Sequence, residues 1–408
     1  MAAMAGQDGY GGPLAGVRVL DLTRILSGPF CTMMLADHGA DVVKIERPGT
    51  GDDTRAWGPP FAAGESAYFL SVNRNKRSAT LDLGTDAGLE SVRALAQAAD
   101  VVVENFRPGT MDRLGLGYET LSRGHPELIY CSISGFGQDG PYRGRPGFDA
   151  VAQAMSGMMS LTGEPDGPPL KHGVPIADLS TAMWAAFAIV AALFERSRSG
   201  RGQYLDASLL SSQVSWLTYA LTGYGVTGEA PGRYGNGHAT IVPYQVFRCA
   251  DGHIMVSAGN DKLFRALVHA LGVEALAEDP RFATNPMRVV HRQELVPLLA
   301  ERFARRPRDH WLDRLDAAGV PVSSILTVPE VVEDPHVRAR GLVQTLDHPS
   351  VGAIATAAPA VVFSRTPPSR HRPPPRLGEH TAAVLAAVGW PAPSAPDREE
   401  GSDGTARV

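Results

Sequence analysis

Short β-branched runs alternate with helical patterns through the first third of the chain. The runs are VRVLDL (17–22), DVVKIE (41–46), SATLDL (78–83), DVVVENF (100–106) and LIYCSIS (128–134), each bounded by turn residues. Between them, GPFCTMMLADHGA (28–40) and TDAGLESVRALAQAA (85–99) repeat apolar residues at helical spacing. This order predicts βαβ units and an α/β fold with a mostly parallel, doubly wound sheet, whose strand carboxyl ends are where function is expected. The fifth run leads into GFGQDG (135–140), which satisfies GxGxxG. A dinucleotide site would need a helix to open there, and Pro141, Gly144, Pro146 and Gly147 forbid one. The loop therefore reads as a wall of an active site, with no NAD.

Further along, Met183, Phe187, Val190 and Phe194 recur at three- and four-residue steps, predicting a helix over 179–198. Its apolar stretch is short of a membrane span and contains Ser180 and Thr181, so a buried helix is expected. Glycines become dense at 223–237, and a hairpin turning at Asp251-Gly252 then opens a new unit rich in helical patterns. The expected organisation is a flexible tail (1–13), a large domain (14–222), a linker (223–244) and a small α+β domain (245–329). A return segment (330–390) and a disordered Pro/Ser-rich tail (391–408) complete it.

Composition narrows the function. The 408 residues are 44% hydrophobic and 20% charged with a net charge of −5, which gives no broad basic face for nucleic acid. Arg74, Lys76 and Arg77 form one basic cluster, Arg143 and Arg145 another; each is a solvated face or an anion contact. Three distant cysteines and twelve scattered histidines show no disulfide framework and no metal spacing, which points to a cytoplasmic protein without a metal. The first dozen residues lack the basic and apolar regions of a signal peptide.

One carboxylate stands out. Asp178 lies between a proline turn and the long apolar helix, with no neutralising residue near it in sequence. As an N-cap it would need no further role. The same position also suits a nucleophile, because orphan N–H groups and the helix dipole would hold a carboxylate ionised where water is scarce. The two readings are compatible.

The chain resembles the family III CoA-transferases, the relatives of formyl-CoA transferase and of the carnitine and bile-acid CoA-transferases. The resemblance is carried in order by PLAGVRVLDLTRILSGPFCTMMLADHGADVVKIERPGTGDDTR, NRNKRSATLDL, ADVVVENFRPGTMDRLGLGY, RPGFDAVAQAMSG, ADLSTAMWAAFAIVAALFERSRSGRGQ and LGEHT. It implies a Rossmann-like large domain built from both ends of the chain around a small inserted domain, and an interlocked homodimer. It also implies Asp178 as the covalent nucleophile, moving CoA between an acyl-CoA and a small carboxylic acid without ATP. By the same resemblance, Arg47 lies near the adenine and phosphate end of CoA, Leu81 at the adenine, Asn105 and Phe106 at a strand end facing CoA, and Arg113 on the phosphate side. Leu26 stands where formyl-CoA transferase has a glutamine, Gly84 where it has a lysine for CoA, and its glycine-rich lid is reduced to YGNGH (234–238). These departures argue against oxalate as substrate; succinyl-CoA is the expected donor, and Arg143, Arg145 or His238 could meet a second carboxylate. The α-methylacyl-CoA racemases share the fold but use a histidine in a GHD triplet. Here the triplet is Gly147-Phe148-Asp149, and Phe148 cannot exchange protons, which favours transfer over isomerisation. Asp149 is expected to orient substrate or its own loop. A non-catalytic CoA- or dinucleotide-binding protein is the alternative from another class.

Overall fold

The computed structural model describes residues 11–367 and 372–389; the expected tail at 391–408 and most of that at 1–13 lie outside them. Six parallel strands form the central sheet: β1 (Arg18–Asp21), β2 (Asp41–Glu46), β3 (Lys76–Thr80), β4 (Val101–Glu104), β5 (Ile129–Ser134) and β6 (Tyr204–Ser208). Their order across the sheet is β3-β2-β1-β4-β5-β6, that of a doubly wound nucleotide-binding fold, with its switch point between β1 and β4. Five of these strands coincide with the predicted runs, β3 starting two residues early. The sixth was not anticipated.

Alternation explains why the strands read as continuous apolar runs. Leu20, Val43, Val102 and Tyr130 face one core with Val92 and Leu95 of helix α2 (Asp86–Ala98), while Val19, Val42, Val101, Val103 and Ile129 face another with Cys31 and Leu35 of α1 (Ser27–Asp37). Both faces are thus covered. Helix α3 (Ile176–Ser199) lies on the second face, and here the sequence expectation needs correcting. The residues it packs inward are mostly small, Ala182, Ala185, Ala186 and Ala192, with Ile189 the one large side chain among them. The large residues that marked the expected buried stripe are exposed, Phe187 at 65% and Phe194 at 64%. Alanine lets the helix backbone approach the sheet closely, so the bulky row is turned outward. By length and hydropathy α3 could cross a membrane.

The chain divides into two compact units. The first holds the described residues up to Ala152, Pro175–Gln213 and those from Leu342 on; the second holds Gln153–Val174 and Val214–Gly341. The crossing points thus fall at other places than the 223–244 and 330 of the sequence reading. Within the first unit the returning segment is stitched to β3, the sheet's edge. His380 N–H donates to Ser78 O at 2.8 Å, and Thr80 N–H donates to Thr381 Oγ1 at 3.0 Å. The second unit has a three-stranded antiparallel sheet of β7 (Tyr244–Arg248), β8 (His253–Ser257) and β9 (Val322–Ser324). Helices α4 (Asp261–Leu271), α5 (Arg292–Phe303) and α6 (Arg308–Ala317) share its core through Phe264, Leu295, Phe303 and Trp311.

Candidate active site

At the carboxyl ends of β1 to β4, beside the switch point, lies a cavity of about 220 Å³. Its lining includes Arg24, Lys44, Arg47, Asp52, Leu81, Gly84 and Phe106. Of the residues assigned to CoA by resemblance, Arg47, Leu81 and Phe106 therefore meet there. Asn105 sits behind the wall: its side chain donates to Arg24 O at 2.7 Å and accepts from Arg24 N–H at 2.9 Å. Arg113 is on the surface, donating to Thr110 Oγ1 at 3.0 Å, and does not line the cavity. Leu26 is buried just before α1. Its neighbour Ile25 has φ 71°, a left-handed conformation that is costly for a β-branched residue. Asp52 fixes this turn, accepting from Ile25 N–H at 3.2 Å.

The cavity floor and the buried layer beneath it are ionic. Lys44 pairs with Asp52 at 2.8 Å, Lys76 with Asp21 at 3.0 Å and Arg55 with Glu46 at 2.7 Å. Burial alone would raise the Asp21 carboxyl, but Lys76 and Lys44 hold it down at about 2. Burial lowers the Lys76 ammonium to about 8 against the pull of Asp21. The basic cluster seen in sequence is therefore neither a solvated face nor a free anion contact: Arg74 pairs with Asp37 and Arg77 with Asp41, each at 2.6 Å.

Asp178 is placed differently from the sequence expectation. Helix α3 begins at Ile176 after Pro175, so Asp178 lies inside the first turn and is not the N-cap. The cap comes from elsewhere in the chain. Asp149 Oδ1 accepts from the N–H groups of Ala177 at 2.7 Å and of Asp178 at 3.2 Å. Asp149 in turn follows a loop whose two ends meet at Gly135 and Gly147; a Cβ on Gly135 would come within 2.6 Å of Gly147 Cα. Because Asp149 takes those N–H groups, they do not hold Asp178 ionised. Instead burial pushes its carboxyl up to about 7, and the Asp149 charge adds to the rise. Tyr68, missed in the sequence, also faces this pair. Burial and the charges of Asp178, Asp149 and Asp52 push its hydroxyl up to about 12. It is seated by Ser66, which accepts from Tyr68 N–H at 3.2 Å, and by an edge-on Trp57 ring at 5.2 Å. A half-buried carboxylate poised near neutrality can act as nucleophile or base.

The remaining candidates are scattered. Arg145 stacks on Tyr142 at 4.1 Å, and Phe148 is exposed. In the second unit His238 packs against Tyr219 and Tyr244 at 5.8 and 5.5 Å. Arg24 and Asp53 lie within the first quoted motif, but nothing in it pairs the two, which stand 29 residues apart and are joined by a contact of 3.1 Å.

Comparison with known proteins identifies the family. Residues 14–381 match CoA-transferase family III. The chain is 46% identical to the mouse succinyl-CoA:glutarate CoA-transferase over 92% of its own length and 86% of that protein. It is 45% identical to the succinate–glutarate CoA-transferase of Agrobacterium fabrum, over 92% and 96% respectively. A crystal structure of a CAIB/BAIF family protein from Brucella suis superposes with a TM-score of 0.83 at 44% identity, covering 93% of this chain and 100% of that one. The family match over residues 14–381 and the 45–46% identity to named CoA-transferases show that the chain belongs to CoA-transferase family III and is a CoA-transferase.

Proposed function

We propose that this CoA-transferase takes succinyl-CoA as donor and a short dicarboxylate of the glutarate type as acceptor, with Asp178 as covalent nucleophile. The observation that carries the catalytic part is the uncompensated Asp178 carboxyl at the start of α3. The substrates rest on the mouse and Agrobacterium fabrum relatives. The Asp178 carboxylate attacks the thioester carbonyl, forming a mixed anhydride and expelling CoA thiolate. The thiolate attacks the aspartyl carbonyl, which releases the donor acid and leaves an aspartyl-CoA thioester. The acceptor carboxylate displaces the thiolate to give a second anhydride. Thiolate attack on its acyl carbonyl then frees the new acyl-CoA and restores Asp178. Splitting the exchange this way keeps each step between activated acyl species, so no ATP is consumed. The steps require a nucleophile held against the thioester and kept from bulk water.

Within the site, Arg47, Leu81 and Phe106 would hold the nucleotide end of CoA, with Asn105 positioning Arg24 and Arg113 contributing from the surface. The exposed row Met183, Trp184, Phe187, Val190 and Phe194 supports a homodimer that covers it. Phe187→Glu should then shift the sedimentation of the protein to that of a monomer. The buried free cysteines Cys31, Cys131 and Cys249 suit a reducing cytoplasm. Mass spectrometry after mixing with a panel of acyl-CoA thioesters, with hydroxylamine as trap, tests the mechanism. A CoA or acyl adduct on the Asp178 peptide, formed with succinyl-CoA, is the expected result. Loss of α-deuterium from a branched acyl-CoA without any adduct would replace transfer by isomerisation.

A further inference from the structure

Two adjacent aspartates beside the cavity are used in opposite ways. Asp52 is buried, pairs with Lys44 and fixes the Ile25 turn. Asp53, its side chain 39% exposed, lies between two guanidinium groups of the cavity lining: Arg24 Nη1 at 3.1 Å and Arg47 Nη2 at 3.5 Å. Arg24 is also set by its surroundings. Its backbone is clamped by Asn105, its guanidinium lies 5.3 Å from the Phe106 ring centre, and its Nε is buried with no partner. Both arginines line the cavity.

We infer that Asp53 is the resident counter-ion of the Arg24–Arg47 pair, displaced when CoA binds, and that Arg24 thereby joins Arg47, which the family resemblance already sets near the phosphates, as a second guanidinium for a phosphate group of CoA. This rests on the reading of the cavity as the CoA site. An exposed pair at such distances is weakly held, whereas a phosphate offers several oxygens to the planar guanidinium forks. The unpartnered Arg24 Nε shows that Asp53 does not satisfy that side chain fully. Asp53 thus keeps the two cations close while the site is empty, then competes with the incoming anion. It sets affinity, and so the ease of CoA release, without touching the reacting atoms.

Calorimetric titration of the full chain with CoA and with 3′-dephospho-CoA tests this. Asp53→Asn should tighten CoA binding about two- to fivefold, the size of a lost exposed ion pair, and Asp53→Ala should act in the same direction. Arg24→Gln should weaken it about tenfold or more, as loss of a charge-assisted bond does. Effects confined to CoA assign the group to the 3′-phosphate, whereas equal effects on both ligands assign it to the diphosphate; either supports the site. Unchanged or weaker CoA binding by Asp53→Asn overturns the counter-ion role, and unchanged binding by Arg24→Gln overturns the phosphate site. Absence of CoA binding by the unsubstituted protein would instead overturn the cavity's assignment to CoA.

Discussion

The cavity floor and the start of α3 both bury carboxylates, with opposite consequences. Beneath the floor, Asp21 is matched by Lys76 and Lys44, and its carboxyl is held at about 2. At α3, Asp178 has a second carboxylate for company and rises to about 7. Burial acts in the same direction on both, so the difference lies in the neighbours. Compensated charges make a rigid frame for the strand ends. An uncompensated one is left unstable enough to react.

Removing the proposed nucleophile should give the largest effect. Asp178→Asn is expected to lower transfer on the order of 10³-fold or more, as loss of a covalent nucleophile does, while CoA affinity by titration is retained. Equal loss of CoA binding would place Asp178 in the frame. Next comes the frame itself. Lys76→Met strands Asp21 in a dry site and should cost about 3 to 5 kcal/mol in urea unfolding. The frame also has its own pH signature. Asp21's folded value lies below the usual 3.8, so the stability it contributes is present above about pH 4 and is lost as pH falls through about 2.

Asp178 should show the reverse. Its folded value lies above the usual 3.8, so the native state loses stability as pH rises from about 4 to about 7, and the loss persists above that range. Asp178→Asn removes the penalty. Its thermodynamic advantage over the unsubstituted protein should therefore grow between pH 5 and pH 8 by about 1 to 2 kcal/mol, discounted for the side chain's partial exposure. A constant difference would mean that Asp178 is ionised in the folded protein throughout.

How much of this was legible follows from the range of each signal. Strands β1 to β5 carry dense β-branched runs between turns. Strand β6 alternates Tyr204, Leu205, Asp206 and Ala207 at the sheet edge beyond β5, and so lacks such a run. The boundaries of α3 were visible to within a few residues, but its buried face was not. Size marked the wrong side, because alanines make the close contact with the sheet. Asp178 could be found from its isolation in sequence and from the family resemblance. Its partner Asp149 stands 29 residues away at the start of another helix, and no local rule links the first turns of two separate helices. Tyr68, Arg24 and Asp53 were invisible for the same reason: what they do depends on neighbours brought together by the fold.

The smallest effect separates the two things Asp149 does. As a cap it takes two N–H groups of α3, and as a charge it raises Asp178. Asparagine retains a side-chain oxygen that can accept those bonds and carries no charge, whereas alanine has neither. Asp149→Ala should cost about 1 kcal/mol of stability, the usual worth of a cap. Asp149→Asn should leave stability within about 0.5 kcal/mol of the parent, because N-cap preferences of Asn and Asp are similar. Both should move the acid limb of kcat/KM to lower pH by about half a unit to one unit, since that limb reports the free enzyme's Asp178 and a like charge has been removed. If Asp149→Asn leaves the limb in place, burial alone raises Asp178 and Asp149 is a cap and nothing more. If the limb moves while stability holds, the uncompensated charge at α3 is a paired arrangement, with the carboxylate that builds the helix start also setting the pH at which its neighbour becomes a nucleophile.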